Sequence, residues 1–245
     1  MKHGRHTGTA RWASSAVGLL LAMVCAQARA DSWLSGVAQY RGDIVYQSSQ
    51  MMLMVAIAGV LAIMVAVPVG IYMSRPSQRH GSAVVMQTLN VGQAVPKLAL
   101  LALAMSVMGI GTVPAIFGLW VATLLPIALN TYEGLRAVPR ALIEAATGMG
   151  MTPLQILWRV ELPNALYVIF AGIRTALAIT VGTAPLAFLI GGGGLGELIF
   201  TGIDLNDFTM LLAGAIPTAL LAIFTDAFVG LMQRRLVSRG VNPQT

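Results

Sequence analysis

An all-α, polytopic helical membrane protein is the fold class this sequence predicts, and three observations predict it. Hydrophobic residues make up 57% of the 245-residue chain and charged residues only 10%, where a soluble domain carries roughly 25% charged residues. Too few charges remain to cover a surface in water. Five windows of mostly apolar residues follow one another at 49–73, 83–108, 113–130, 164–190 and 208–232. Each approaches or exceeds the roughly 20 residues a helix needs to cross a hydrocarbon core with its backbone groups satisfied internally. Finally, eleven of the fifteen Lys and Arg fall in alternate connections, the asymmetry that marks cytoplasmic loops.

Taken in order, residues 1–30 carry Lys2, Arg5 and Arg11, then an apolar stretch from Ala13 to Ala26, then Ala28-Arg29-Ala30 before Asp31. This layout reads equally as a cleaved secretory signal peptide or as an uncleaved signal anchor; both put Asp31 outside. Residues 31–48 form an outer segment, and 49–236 the five-helix membrane domain. The spans are punctuated by Arg75-Pro76-Ser77 and Arg79-His80-Gly81, by Gly109 and Gly111, by a polar block over 131–163, and by glycines from Gly191 to Gly196. With the N-terminus inside, the basic residues Arg75, Arg79, Arg136, Arg140, Arg159, Arg234, Arg235 and Arg239 all fall on the inner side. That places 131–163 and the tail 237–245 in the cytoplasm.

The polar block has the grammar of two short helices joined by a glycine turn. Ala141 to Thr147 favours helix, Gly148 and Gly150 permit the turn that ends it, and Thr152, Pro153 and Gln155 supply a capping box with a first-turn proline. The second helix is expected to end before Pro163. Leu154, Leu157 and Trp158 share one face of it, a pattern suited to docking a partner.

Three ionisable residues fall at membrane depth: Lys97, Arg174 and Asp226. Such groups are costly there unless paired, solvated or functional. Arg174 and Asp226 lie at similar depths toward the inner side and form a candidate charge pair, with separate snorkelling as the alternative. Lys97 follows Pro96 near mid-span; Gln93, Pro96 and Lys97 are candidate pathway or interface residues.

Several chemistries have no footing. The chain lacks the G-x-x-x-x-G-K-[ST] phosphate loop. His3, His6 and His80 form no metal-binding pair, and the single Cys25 excludes an internal disulfide or a cysteine metal site. The basic residues make no patch interleaved with aromatics, which argues against nucleic acid. Gly191, Gly193 and Gly196 formally satisfy G-x-G-x-x-G, but they follow a membrane helix rather than a strand. The cluster Gly191, Gly192, Gly193, Gly194 and Gly196 reads as close packing or as a flexible outer constriction.

Within the polar block, Glu144-Ala145-Ala146, three residues, Gly150, nine residues, Val160, one residue and Leu162-Pro163 resembles the EAA loop of ATP-binding-cassette importer permeases. Val160 stands where the pattern usually carries Ile. Val91 to Pro96, Gly109 to Ala115, Leu125-Pro126, Asn130 to Tyr132, Ala171 to Thr175 and the glycine cluster resemble the osmoprotectant branch, which serves glycine betaine, choline and carnitine importers. The similarity spans about Ile44 to Leu236. It implies a non-enzymatic permease subunit in the bacterial inner (plasma) membrane, working by alternating access. The implied partners are a second permease copy or homologue, two cytosolic ATPase subunits that carry ATP and Mg, an extracytoplasmic binding protein, and the membrane lipid around the permease. The same scaffold carrying an amino acid or another small polar solute is the nearest alternative, and a self-sufficient secondary carrier the more distant one.

Overall fold

The computed structural model describes residues 36–75, 87 and 90–236. The signal-like segment 1–30, the inner turn through Arg79 and the tail 237–245 lie outside the described residues. Helix α1, Arg41–Ser74, is 34 residues long, and Asp43 in its first turn complements the positive end of the helix dipole. Helix α2, Lys97–Met108, follows a break at Val95-Pro96 and stops at Gly109, whose φ of 83° no ordinary residue adopts readily. Helix α3, Thr112–Arg136, runs through Pro126. Asn130 Nδ2 donates to the Pro126 carbonyl at 2.8 Å. A short helix α4, Arg140–Gly148, is followed by α5, Pro153–Ile156, a π-helical turn Leu157–Glu161, helix α6, Leu162–Thr183, and a 3-10 segment Ala184–Ile190. From Pro153 to Ile190 these form one run of 38 residues. Helices α7, Gly196–Asp204, and α8, Phe208–Leu236, complete the bundle.

Among the described residues, four helical runs are long and apolar enough to cross a membrane. Helix α3 sits at the centre: α1, α2 and α6 pack on it, and α8 packs on α6 and α7. The interior divides into two apolar clusters. One, around Met51, Leu119, Val181 and Leu195, lies toward the glycine-rich end. The other, around Ala66, Ile127, Tyr132 and Ile169, lies toward the polar-block end, and Trp120 borders both. Apolar side chains also cover the outer faces of α1 and α8, including Leu53, Met64, Leu220 and Phe224, as lipid contact requires.

The structure departs from the sequence expectations in four places. Helix α1 starts at Arg41 rather than Ser49, because the polar stretch before the apolar window is itself helix-compatible. The window 83–108 is interrupted at Pro96, where the extended backbone (ψ of 130°) starts a new helix. A short helix, α7, follows the glycine cluster where none was expected. The fourth departure concerns Pro163, which does not end the second polar-block helix. The π turn passes the chain through it: the Leu162 N–H bonds five residues back to the Leu157 carbonyl. Asn164 Nδ2 donates to the Val160 carbonyl at 2.7 Å. A proline in the first turn of α6 lacks only an N–H that this geometry does not use.

Candidate functional site

The polar-block end presents the helix pair α4 and α5. Helix α4 closes with two reverse-turn bonds, Met151 N–H to the Ala146 carbonyl at 3.1 Å and Gly150 N–H to the Thr147 carbonyl at 2.9 Å. That pattern requires a left-handed residue at Gly150, which has φ of 79°. Helix α5 opens with the expected capping box: Thr152 N–H donates to Gln155 Oε1 at 2.9 Å and Gln155 N–H to Thr152 Oγ1 at 3.4 Å. Ala146 is buried against the bundle, while Glu144, Ala145 and Gly150 are exposed. Val160, Leu162 and Pro163 are half-buried where the run enters the bundle. Leu142, Met149, Leu154 and Trp158 stand exposed around this pair, Met149 and Trp158 at 70% and 66%. A large apolar patch on an otherwise polar surface marks an interaction face.

Arg75, at the end of α1, reaches Glu161 of the π turn at 2.7 Å. Arg136 donates to the Tyr132 hydroxyl at 2.8 Å and lies over its ring. In the sequence both arginines mark orientation only; their partners are 86 residues and 4 residues away respectively, and only the closer spacing is a visible pattern.

Deeper in the bundle, Arg174 of α6 and Asp226 of α8 meet in a two-pronged pair, Nε to Oδ1 and Nη2 to Oδ2, both at 2.5 Å. Their side chains remain partly open on the flank of the bundle. Gln93, Pro96 and Lys97 gather at the break before α2. Gln93 and Lys97 line a cavity of about 280 Å³ whose far wall includes Ala122 and Pro126 of α3 and Ala176 of α6.

At the opposite end, Gly191, Gly193 and Gly194 have φ between 74° and 83°. Gly192 lies so close to α3 that a Cβ there would sit 2.7 Å from the Ala115 Cβ, and a Cβ on Gly196 would overlap the Pro185 carbonyl. The loop is pinned by Gly111 N–H to the Ile190 carbonyl at 2.9 Å and by Gly194 N–H to Gln50 Oε1 at 3.3 Å. Gln47 Nε2 reaches Glu197 at 3.2 Å. Asp207 accepts from Thr209 N–H and Met210 N–H at the head of α8 and from the Tyr40 hydroxyl at 3.2 Å. Burial, and then the Asp207 carboxylate, hold the Tyr40 hydroxyl above its ordinary pKa, so it stays a donor. Gln47, Gln50 and Tyr40 were not singled out from sequence; nothing local marks a residue whose partner is 144 to 167 positions away.

Residues 66–238 match the family described as binding-protein-dependent transport system inner membrane component. The chain belongs to that family. It is an inner-membrane permease subunit of a binding-protein-dependent importer, a transport component rather than a catalytic one. Among curated relatives, it is 52% identical over 194 residues to the osmoprotectant import permease protein OsmY of Salmonella typhimurium, covering 79% of this chain and 82% of the relative. It is 40% identical to the choline transport system permease protein OpuBB of Bacillus subtilis, over 82% of this chain and 91% of that one. It is 44% identical to the carnitine transport permease protein OpuCD of Listeria monocytogenes, over 75% and 82%. The fold is similar to that of the inward-facing MetNI methionine ABC transporter, with a TM-score of 0.73 at 24% identity over 82% of this chain and 99% of that one.

Proposed function

We propose that this permease imports small osmoprotectants of the glycine betaine, choline and carnitine type, as a dimer with itself or a close homologue. Two ATPase subunits would bind at the α4–α5 end, and an extracytoplasmic receptor would deliver solute at the glycine-rich end. The permease relatives named for osmoprotectant, choline and carnitine transport support the solute class.

One observation carries the coupling role. The second helix of the exposed pair, α5, continues without a break into a run that crosses the whole bundle, Pro153 to Ile190. Thirty-eight residues at about 1.5 Å per residue span roughly 57 Å. A push on Leu154 and Trp158 is therefore delivered along a single rod to the residues just before Gly191. Glu144, Ala145 and Ala146 form the first helix of the contact, Gly150 sets the angle between the two helices, and Val160, Leu162 and Pro163 mark where the rod enters the membrane. ATP-driven approach of the two ATPases would tilt this rod and exchange an inward-open for an outward-open path. Tight glycine contacts at the far end would make that end close as a unit. The Arg174–Asp226 pair would hold α6 and α8 together during the movement. ATP and Mg belong to the partner subunits in this scheme, and the permease contributes only shape and motion.

The reading is tested by reconstituting the permease with its ATPases and receptor in lipid vesicles. Glycine betaine, choline or carnitine uptake that requires ATP and stops on omission of the ATPase is the expected result; uptake without the ATPase would overturn it. Glu144→Cys in a Cys25→Ser background should react with a membrane-impermeant maleimide only from the cytoplasmic side. Reaction from outside would reverse the orientation and remove the coupling role.

A further inference from the structure

One charge at membrane depth, on Lys97, takes no part in the coupling scheme above. Lys97 is the first residue of α2, half-buried, and it lines the 280 Å³ cavity with Gln93. Eleven residues separate it from Met108, so it lies about 17 Å along the helix from the glycine-rich end. In a hydrocarbon core about 30 Å thick this is close to half depth. An ammonium there is costly without a counter-charge or water.

The chain's nine carboxylates can be followed one by one. Asp43, Glu197, Asp204 and Asp207 belong to the glycine-rich end, and Glu133, Glu144 and Glu161 to the polar-block end. Asp226 lies within the span but is engaged on both oxygens by Arg174. Asp31 lies outside the described residues, in the segment preceding α1. The stretches 76–86 and 88–89, the chain nearest α2 in sequence outside the described residues, contain no acid at all. Among the described residues no carboxylate lines the cavity, and a second copy of this chain would bring only the same nine. Among the described residues Lys97 is thus left without a carboxylate partner, and a solute that enters is a ready source of the counter-charge.

The walls suit a particular visitor. Gln93, an exposed residue on the rim of the same cavity, adds two amide donors, and the remainder of the described lining, including Leu100, Leu125 and Ile179, is apolar. A cation and an amide at one point of an otherwise greasy cavity match a small solute with a carboxylate at one end and methyl groups at the other. The volume is at the lower edge of that of small-molecule sites.

We propose that Lys97, assisted by Gln93, is a carboxylate-accepting station on the solute path, which makes this permease pass carboxylated osmolytes in preference to choline. The inference rests on the importer reading above and adds a selectivity that resides in the permease rather than in the receptor. A cation without a carboxylate meets only repulsion at this depth.

The test uses the complete importer in vesicles with the receptor at saturating solute, comparing glycine betaine and choline uptake in wild type, Lys97→Gln and Lys97→Arg. Wild type should favour glycine betaine. Lys97→Gln should lower glycine betaine uptake about tenfold, the effect of losing one charge-assisted hydrogen bond, while choline uptake holds or rises. Lys97→Arg should stay within about threefold of wild type, which separates loss of charge from misfolding. Equal losses of both solutes in Lys97→Gln, glycine betaine uptake unchanged by that substitution, or wild-type transport of choline alone would each overturn the proposal while leaving the importer reading standing. Failure of wild type to move glycine betaine, choline and carnitine alike would overturn both.

Discussion

Glycine-rich turns stand at opposite ends of this bundle and use the residue in opposite ways. At Gly150 the backbone takes a left-handed conformation in open space: a Cβ there would touch nothing within 4 Å. Around Gly192 and Gly196 the missing Cβ is what lets three elements meet, because any side chain would strike Ala115, Ala187 or Pro185. The first turn is set by dihedral preference alone, and the second by packing. The polar-block end thus presents its surface through a turn that rests on one dihedral, and the other end is held by contact.

The sharpest way to break this contrast is Gly196→Val, which forces a branched side chain into the Pro185 carbonyl. It should cost about 3 kcal/mol, at the upper end of overpacking effects, and remove folded protein from detergent extracts read by thermal unfolding. A normal melting curve would mean that the cluster is loose. Trp158→Ala probes the other end. As an exposed aromatic in a docking patch it should leave the melting temperature within the noise of a surface substitution and weaken ATPase binding by about 2 kcal/mol, measured by titration of labelled ATPase. A fall in melting temperature with unchanged ATPase affinity would reassign the residue to packing.

A smaller effect is expected from Gly150→Ala, whose left-handed backbone costs about 1–2 kcal/mol in an L-residue. Transport should fall relative to ATP hydrolysis with little change in yield. Gly148→Ala is its control, since Gly148 lies at the end of α4 with open space around it, and alanine there should be neutral or slightly stabilising. Equal behaviour of the two variants would refute a special role for the Gly150 conformation. The smallest effect belongs to the charge pair. A double-mutant cycle with Arg174→Gln and Asp226→Asn should show a coupling of about 1 kcal/mol in thermal stability, modest because both side chains are partly open on the bundle flank. Additive losses would show that each residue acts alone.

The sequence disclosed most of the helices because the lipid requirement is crude: length and apolar content suffice, and both can be counted. The glycine turn at Gly150 and the capping box at Thr152 were equally legible, since each depends on residues within a few positions. What escaped were features where two local rules compete. Pro163 signals a stop, yet the π turn before it supplies a hydrogen-bond pattern in which the missing donor is not needed. Pro96 lies inside an apolar window long enough to span, yet it splits the helix and leaves Lys97 beside a cavity. Long-range ties such as Gln50 to Gly194 leave no periodic trace. For the polar block the residue pattern was visible in full, whereas the exposure of Met149 and the cavity beside Lys97 required the folded chain.

The π turn has a further consequence. It holds one residue more than the regular helix would need, so everything before it is rotated by about 100° relative to everything after it. Excising a single amino acid between Leu157 and Glu161 would restore the α register at a cost, because Pro163 would then sit inside a regular helix where its ring meets the carbonyl four residues back. The same deletion would swing Leu154 and Trp158 a quarter-turn around the rod, so a shorter loop that still folds would aim its greasy patch at the wrong neighbour.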